Sequence, residues 1–280
     1  MSFTRDFTQT QIGKMTSDTL TNKFTGESNL QLFERLRADV LKGEVFPAVR
    51  INELHFYYKG GCIFKFASGS YKRDKNFEKF GALYEHLPPY EKAKKENEEK
   101  FKNAAGGEAE RQLLDRLYCH TYSPDKKSNV AILYIEVNLG GQKVRKCDLV
   151  LLNTQTDEIM FVEGKVFSDS RVNVAISFIP EVILQVNTYT AAIERQREII
   201  LEQYARHIEI INGLFGSSFR HPQKLIEPAK LLVYGTPLRP TNNNFYSIDT
   251  INASLGANNV FFVKQGERPS TDEIWNSLCK

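Results

Sequence analysis

Period-two alternation of apolar and polar positions is clearest in the middle of the chain. KVRKCDLVLLNTQTDEIMFVEGKVF, residues 143 to 167, reads as two strands rich in β-branched and aromatic residues, with the Asn153 to Glu158 cluster as the turn between them. Upstream, Gly106 to Tyr122 has helical spacing with Leu113, Leu114 and Leu117 on one side, and Val130 to Leu139 is a strand. Downstream, Pro180 opens a long periodic segment to about Phe215, with Gly213 and Gly216 near its end. Ala229 to Tyr234 is a further strand, and Asn259 to Lys264 extends or flanks the sheet. Toward the N-terminus, Asn29 to Gly43 predicts an amphipathic helix. Val45 to Phe56 and Cys62 to Ala67 predict a hairpin turning at Lys59, Gly60 and Gly61. The charge-balanced run 91–103 predicts a solvated helix or linker.

Three ionisable residues interrupt the apolar pattern of the central strands. Asp148 lies in the first, and Glu163 and Lys165 lie two positions apart in the second, so these two leave the same face of the sheet. A charge buried in a sheet needs a partner, and a divalent cation is one. Carboxylate oxygens suit Mg²⁺, which would lower the pKa of a bound water beside a lysine able to orient or deprotonate it. The competing reading is a cross-strand ion pair between Glu163 and Lys165 on a solvated face. The phase bears on the choice: Phe161 shares a face with Glu163 and Lys165, Val162 and Val166 share the other, and a sheet apolar on both faces is covered on both.

Asp148 followed by Glu163, Gly164 and Lys165 resembles the PD-(D/E)XK nuclease superfamily, with Cys147 where that superfamily often has proline. Gln185 and Tyr189 in QVNTY stand four residues apart on one helical face and resemble the Q-x-x-x-Y element of its RecB-type branch. The other reading of that pair is an ordinary amphipathic helix with Tyr189 in the core. The resemblance covers Gly106 to about Gly235 and implies an α/β fold with a restriction-endonuclease-like core, in the order αβββαβ, whose mixed sheet is flanked by helices. That core would occupy 106–280 with its C-terminal strand and tail, behind an N-terminal α+β extension over 1–105. The resemblance also implies a glutamate early in the preceding helix that reaches the metal, and Glu110 fits this better than Glu108. The helix dipole favours acidic residues in a first turn regardless.

The resemblance implies a Mg²⁺-dependent nuclease, with Mn²⁺ as a substitute, DNA as the expected nucleic acid and a 5′-phosphate product. Asp148, Glu163 and Glu110 would hold the metal, Lys165 would serve the attacking water, and Gln185 and Tyr189 would order the site and contact DNA. The backbone carbonyl next to Glu163 would complete the coordination. The alternative is a catalytically inactive nucleic-acid-binding or interaction module of the same fold. A homodimer is compatible with the sequence, which does not fix the oligomeric state.

Charge and composition add little. A net charge of +3 permits nucleic-acid binding without demanding it. Between Phe56 and Lys79, Lys59, Lys65, Lys72, Arg73, Lys75 and Lys79 interleave with Phe56, Tyr57, Tyr58, Phe64, Phe66 and Tyr71, a mixture that stacks bases or, more simply, fills a core. Cys62, Cys119, Cys147 and Cys279 are scattered and expected to be reduced thiols. His55, His86, His120, His207 and His221 lack metal-ligand spacing, and His120 is expected to be structural at a helix end. MSFTRDFTQT holds no apolar stretch of signal-peptide length and no run approaches a membrane span, so a cytoplasmic protein without membrane contact is expected. Phosphate-loop, dinucleotide-binding and nucleophile-elbow motifs are absent from the sequence.

Overall fold

The computed structural model describes residues 7–73, 84–102, 107–125, 127–139, 146–172, 179–235 and 248–279. It is a mixed α/β structure with two sheets flanked by helices. The chain divides into two units, one formed by residues 4–126 together with 206–219, the other including 127–205 with 220–280.

In the first unit, helices α1 (Gln9–Met15) and α2 (Asn29–Leu41) precede a four-stranded antiparallel meander. Ser28 starts α2 through a capping box with Gln31, which satisfies two backbone donors at the helix start. The strands are β1 (Val45–Arg50), β2 (Glu53–Tyr58), β3 (Gly61–Ala67) and β4 (Ser70–Lys72), in that order across the sheet. Val45 to Phe56 is therefore two strands rather than one. Asn52, at φ 57°, turns the chain between them in the left-handed conformation that asparagine tolerates. The tight turn at Lys59 and Gly60 has φ 46° and 80°, and there the hairpin expectation agrees with the structure. Lys75 and Lys79 lie outside the described residues.

Phe56, Tyr57, Tyr58, Phe64, Phe66 and Tyr71 are all buried, so the aromatics of this segment are core and not a stacking platform. Run 91–103 falls largely within α3 (Pro89–Phe101), a helix with proline at its start and one buried face made by Tyr90, Ala93, Glu96, Asn97 and Phe101. Helix α4 (Gly107–Tyr118) runs into a 3₁₀ turn, Cys119–Tyr122. His120 in that turn packs on Gly43, where a Cβ would fall 2.3 Å from its Nδ1.

In the second unit, five strands lie in the order β5 (Val130–Asn138), β6 (Lys146–Asn153), β7 (Glu158–Val166), β8 (Lys224–Tyr234) and β9 (Val260–Val263). Strands β5, β6 and β7 are antiparallel; β8 runs parallel to β7, and β9 parallel to β8. A parallel pair needs a crossover. Helices α5 (Glu181–Arg195) and α6 (Arg197–Phe215) lie between β7 and β8 in the chain, and α5 packs against β8. The single helix expected from Pro180 to Phe215 is thus two. Gln196 leaves helical geometry at φ −118°, ψ 17°, and its side-chain amide donates to the Leu139 and Ala192 carbonyls. α7 (Ile248–Leu255) and α8 (Thr271–Leu278) complete the unit.

Residues 159–165 of β7 are buried on both faces, as a covered sheet requires. Among the described residues, no helix is long and apolar enough to cross a membrane.

Candidate active site at a fork in the sheet

The β6–β7 ladder ends at Leu149↔Val162, although both strands continue. Beyond that pair, β6 stays with β5 through Cys147↔Val137 and Lys146↔Asn138. β7 stays with β8 from Glu163↔Leu231 to Val166↔Tyr234. The sheet forks, and Asp148, Glu163 and Lys165 stand at the fork. The Gly164 N–H donates to Asp148 Oδ2 at 2.8 Å, so a carboxylate takes the bond at the point where backbone pairing stops.

Three oxygens surround the Lys165 ammonium: Glu163 Oε1 at 2.5 Å, the Gly164 carbonyl at 2.6 Å and Asp148 Oδ2 at 3.5 Å. Glu163 and Lys165 are each 1% exposed, which rules out the expectation of an ion pair on a solvated face. Asp148 is only partly buried. Burial raises the Asp148 carboxyl above its ordinary pKa, against the Lys165 charge and the Gly164 N–H, which pull it down. Neighbouring Cys147 points to the other face, with its thiol pushed up by burial.

Helix α5 brings Gln185 and Tyr189 to the same place, because residues four apart travel on one face. Gln185 Nε2 donates to Glu163 Oε1 at 2.7 Å and to Tyr189 Oη at 2.6 Å. Tyr189 in turn donates to the Lys146 carbonyl at 2.9 Å, in the arm of β6 that has left β7. Burial, then the Glu163 charge, raises the Tyr189 pKa, so the phenol keeps the proton that it donates. The chain Glu163–Gln185–Tyr189–Lys146 ties both arms of the fork to one helix. Tyr189→Phe removes a buried donor and leaves the Lys146 carbonyl without it. A loss of about 1–3 kcal/mol in stability is expected, read as a lower midpoint in denaturant.

The structure thus brings five of the expected residues together. Glu110 belongs to the other unit, where it is 8% exposed on α4. Among the described residues, no group of three or more His, Cys, Asp or Glu side chains is placed to hold one ion, so Glu110 is not part of such a group. His120 also lies in that other unit.

Three participants carried no sequence signal. Lys146 contributes only a backbone carbonyl. Asp169 and Arg171 lie in the polar turn after β7, which has no periodicity. Burial alone would raise the Asp169 carboxyl; the bonds and charge of Arg171, with the Lys165 ammonium, outweigh it and hold Asp169 below the usual carboxylate range.

Comparison of the chain with protein-family models, with curated proteins and with solved structures finds no match in any of the three.

Proposed function

We propose that this chain is a divalent-metal-dependent nuclease that hydrolyses phosphodiester bonds in DNA, on a restriction-endonuclease-like core. One observation carries the reading: two carboxylates and a backbone carbonyl converge on a single cationic group, the Lys165 ammonium. Hard oxygen donors on a buried positive charge are the donor set that Mg²⁺ or Mn²⁺ takes from a protein, completed by water and substrate oxygens. The residues fit the ion. Asp148, Glu163 and the Gly164 carbonyl would hold it, and when bound it supplies an acidified water and offsets negative charge on the phosphate.

The chain's own groups have separate tasks. The Gly164 N–H fixes Asp148, and Gln185 fixes the Glu163 carboxylate from the helix side. Lys165 holds a proton at Nζ beside both acids, where it orients the attacking water and meets the charge that builds on the phosphate. Tyr189 keeps the β6 arm in place through Lys146. Chain order supports the same reading, since α4 precedes three antiparallel strands, and two helices then lead to a strand parallel to the last of them.

A second reading, a non-catalytic nucleic-acid-binding module, draws on the same ammonium: Lys165 already neutralises the acids, as a purely structural buried cluster would. Long single- and double-stranded DNA of varied sequence, incubated with Mg²⁺, with Mn²⁺ and with chelator, separates the two. Cleavage with either metal and none with chelator is expected. A well-folded protein that cuts nothing on this panel supports the module and ends the nuclease reading.

A further inference from the structure

The polypeptide leaves β7 at Val166 and enters α5 after Pro180, and the first part of that connection is tightly held. Phe167 N–H donates to the Tyr234 carbonyl at 2.7 Å, tying the turn to the end of β8. Asp169 N–H donates to the Val166 carbonyl at 2.9 Å, and Val172 N–H to the Asp169 carbonyl at 3.0 Å. The Val182 N–H, in the first turn of α5, donates to the Arg171 carbonyl at 3.1 Å. Arg171 thus lies in the turn after the strand that carries Glu163 and Lys165, and its carbonyl is bonded to the first turn of the helix that carries Gln185.

Its side chain is fixed as well. Arg171 Nε donates to Asp169 Oδ1 at 2.8 Å and Nη2 donates to Asp169 Oδ2, while the Arg171 backbone N–H also reaches Oδ1 at 2.8 Å. The two-pronged pairing sets the plane of the guanidinium, so little rotamer freedom remains to be lost on binding. The side chain still keeps 26% of its surface exposed. Asp169 lies four residues beyond Lys165 in the chain, so the pair follows the end of β7 that carries the fork. Both parallel strands β7 and β8 end here, and the carboxyl ends of parallel strands are where open α/β sheets receive their ligands.

We propose that Arg171 is a substrate-positioning residue that grips a backbone phosphate of the nucleic acid next to the one attacked, with Asp169 holding its guanidinium aimed. This rests on the nuclease reading. An arginine presenting N–H groups at fixed orientation matches phosphate oxygens, and such contacts set register on the substrate without reading its sequence. A strut that only braces the turn would have the same hydrogen bonds to Asp169 but no effect on nucleic-acid affinity.

Fluorescence anisotropy with labelled DNA duplexes and single strands of mixed sequence, in chelator so that nothing is cut, measures binding over a salt series. Arg171→Ala is expected to weaken duplex binding about tenfold and to reduce the slope of log affinity against log salt by about 0.9, the release expected for one phosphate contact. Arg171→Lys keeps the slope and recovers part of the affinity, because charge is retained but the fork is lost. Arg220 pairs with Asp157 in the β6–β7 turn, at the opposite end of β7, and Arg220→Ala removes the same charge there without changing the slope. Wild-type affinity and slope in Arg171→Ala overturn the assignment. So does a lowered melting temperature with unchanged slope, the mark of a strut, or an equal change in Arg220→Ala, the mark of bulk charge. A wild-type protein that binds none of these probes removes the nuclease reading itself, whereas wild-type binding that is insensitive to Arg171 removes only this inference.

Discussion

Lys165→Ala is expected to lower metal-dependent DNA cleavage by about 10²- to 10³-fold, the range that a positioned donor meeting transition-state charge contributes. DNA affinity measured in chelator is expected to stay close to wild type, because Lys165 is 1% exposed and acts inside the fork rather than on the nucleic-acid surface. The same substitution has a second, separable effect. It leaves Glu163 and Asp148 side by side without the ammonium that joins them. Removing one partner of a buried ion pair typically destabilises by about 3–5 kcal/mol, since a buried charge stays behind unpaired. Lys165→Met preserves much of the packing of the lysine stem and isolates the charge. Thermal melts with added Mg²⁺ then test the donor set directly: the ion should raise the melting temperature of either variant more than that of wild type, because it has no resident cation to displace. Retained cleavage in a folded Lys165→Met protein would remove Lys165 from the chemistry. A melting temperature indifferent to Mg²⁺ in both variants would show that the oxygens do not form a cation site.

Much of this geometry was legible because it follows from side-chain periodicity. Alternation placed Glu163 and Lys165 on one face of β7, and helical spacing placed Gln185 and Tyr189 on one face of α5. What periodicity does not encode is where backbone pairing stops. The fork beyond Leu149↔Val162 turns three charged residues into a cluster, and nothing in the residues at 146–149 or 162–166 announces it. Single-residue interruptions escape for a related reason. Gln196 breaks one helix into two without shifting the apolar stripe, and Asn52 turns the chain between β1 and β2 inside a stretch, Val45 to Phe56, that reads as one strand. The aromatic and basic stretch from Phe56 shows a different limit. Composition describes a stacking surface and a packed sheet equally well, and only burial separates them. Arg171 lies at the other extreme, in a turn whose residues look like any polar loop until its hydrogen bonds are seen.

Asp148→Asn should part stability from activity, which Lys165→Ala lowers together. The substitution leaves one carboxylate and one ammonium at the fork, a neutral pair, and the amide oxygen can still accept from the Gly164 N–H. Burial raises the folded-state pKa of Asp148 above the ordinary value near 3.9 for an unfolded chain, so at neutral pH the ionised form is disfavoured by folding. A raised carboxyl pKa subtracts stability above it, and that deficit disappears as the pH falls through it toward the unfolded value. The neutral isostere should therefore melt at or above the wild-type temperature at pH 7, with the gap narrowing as the solution is acidified. Activity should move the other way. Removing one of two carboxylates from the cation's donor set should weaken metal binding by more than the about 10–100-fold that follows loss of an outer-shell partner. Cleavage should fall accordingly, with partial recovery at high Mn²⁺. The paired measurement is a pH series of melts beside a metal titration of cleavage. A less stable Asp148→Asn protein that still cuts DNA at wild-type metal concentrations would mean that Asp148 braces the fork and holds no cation.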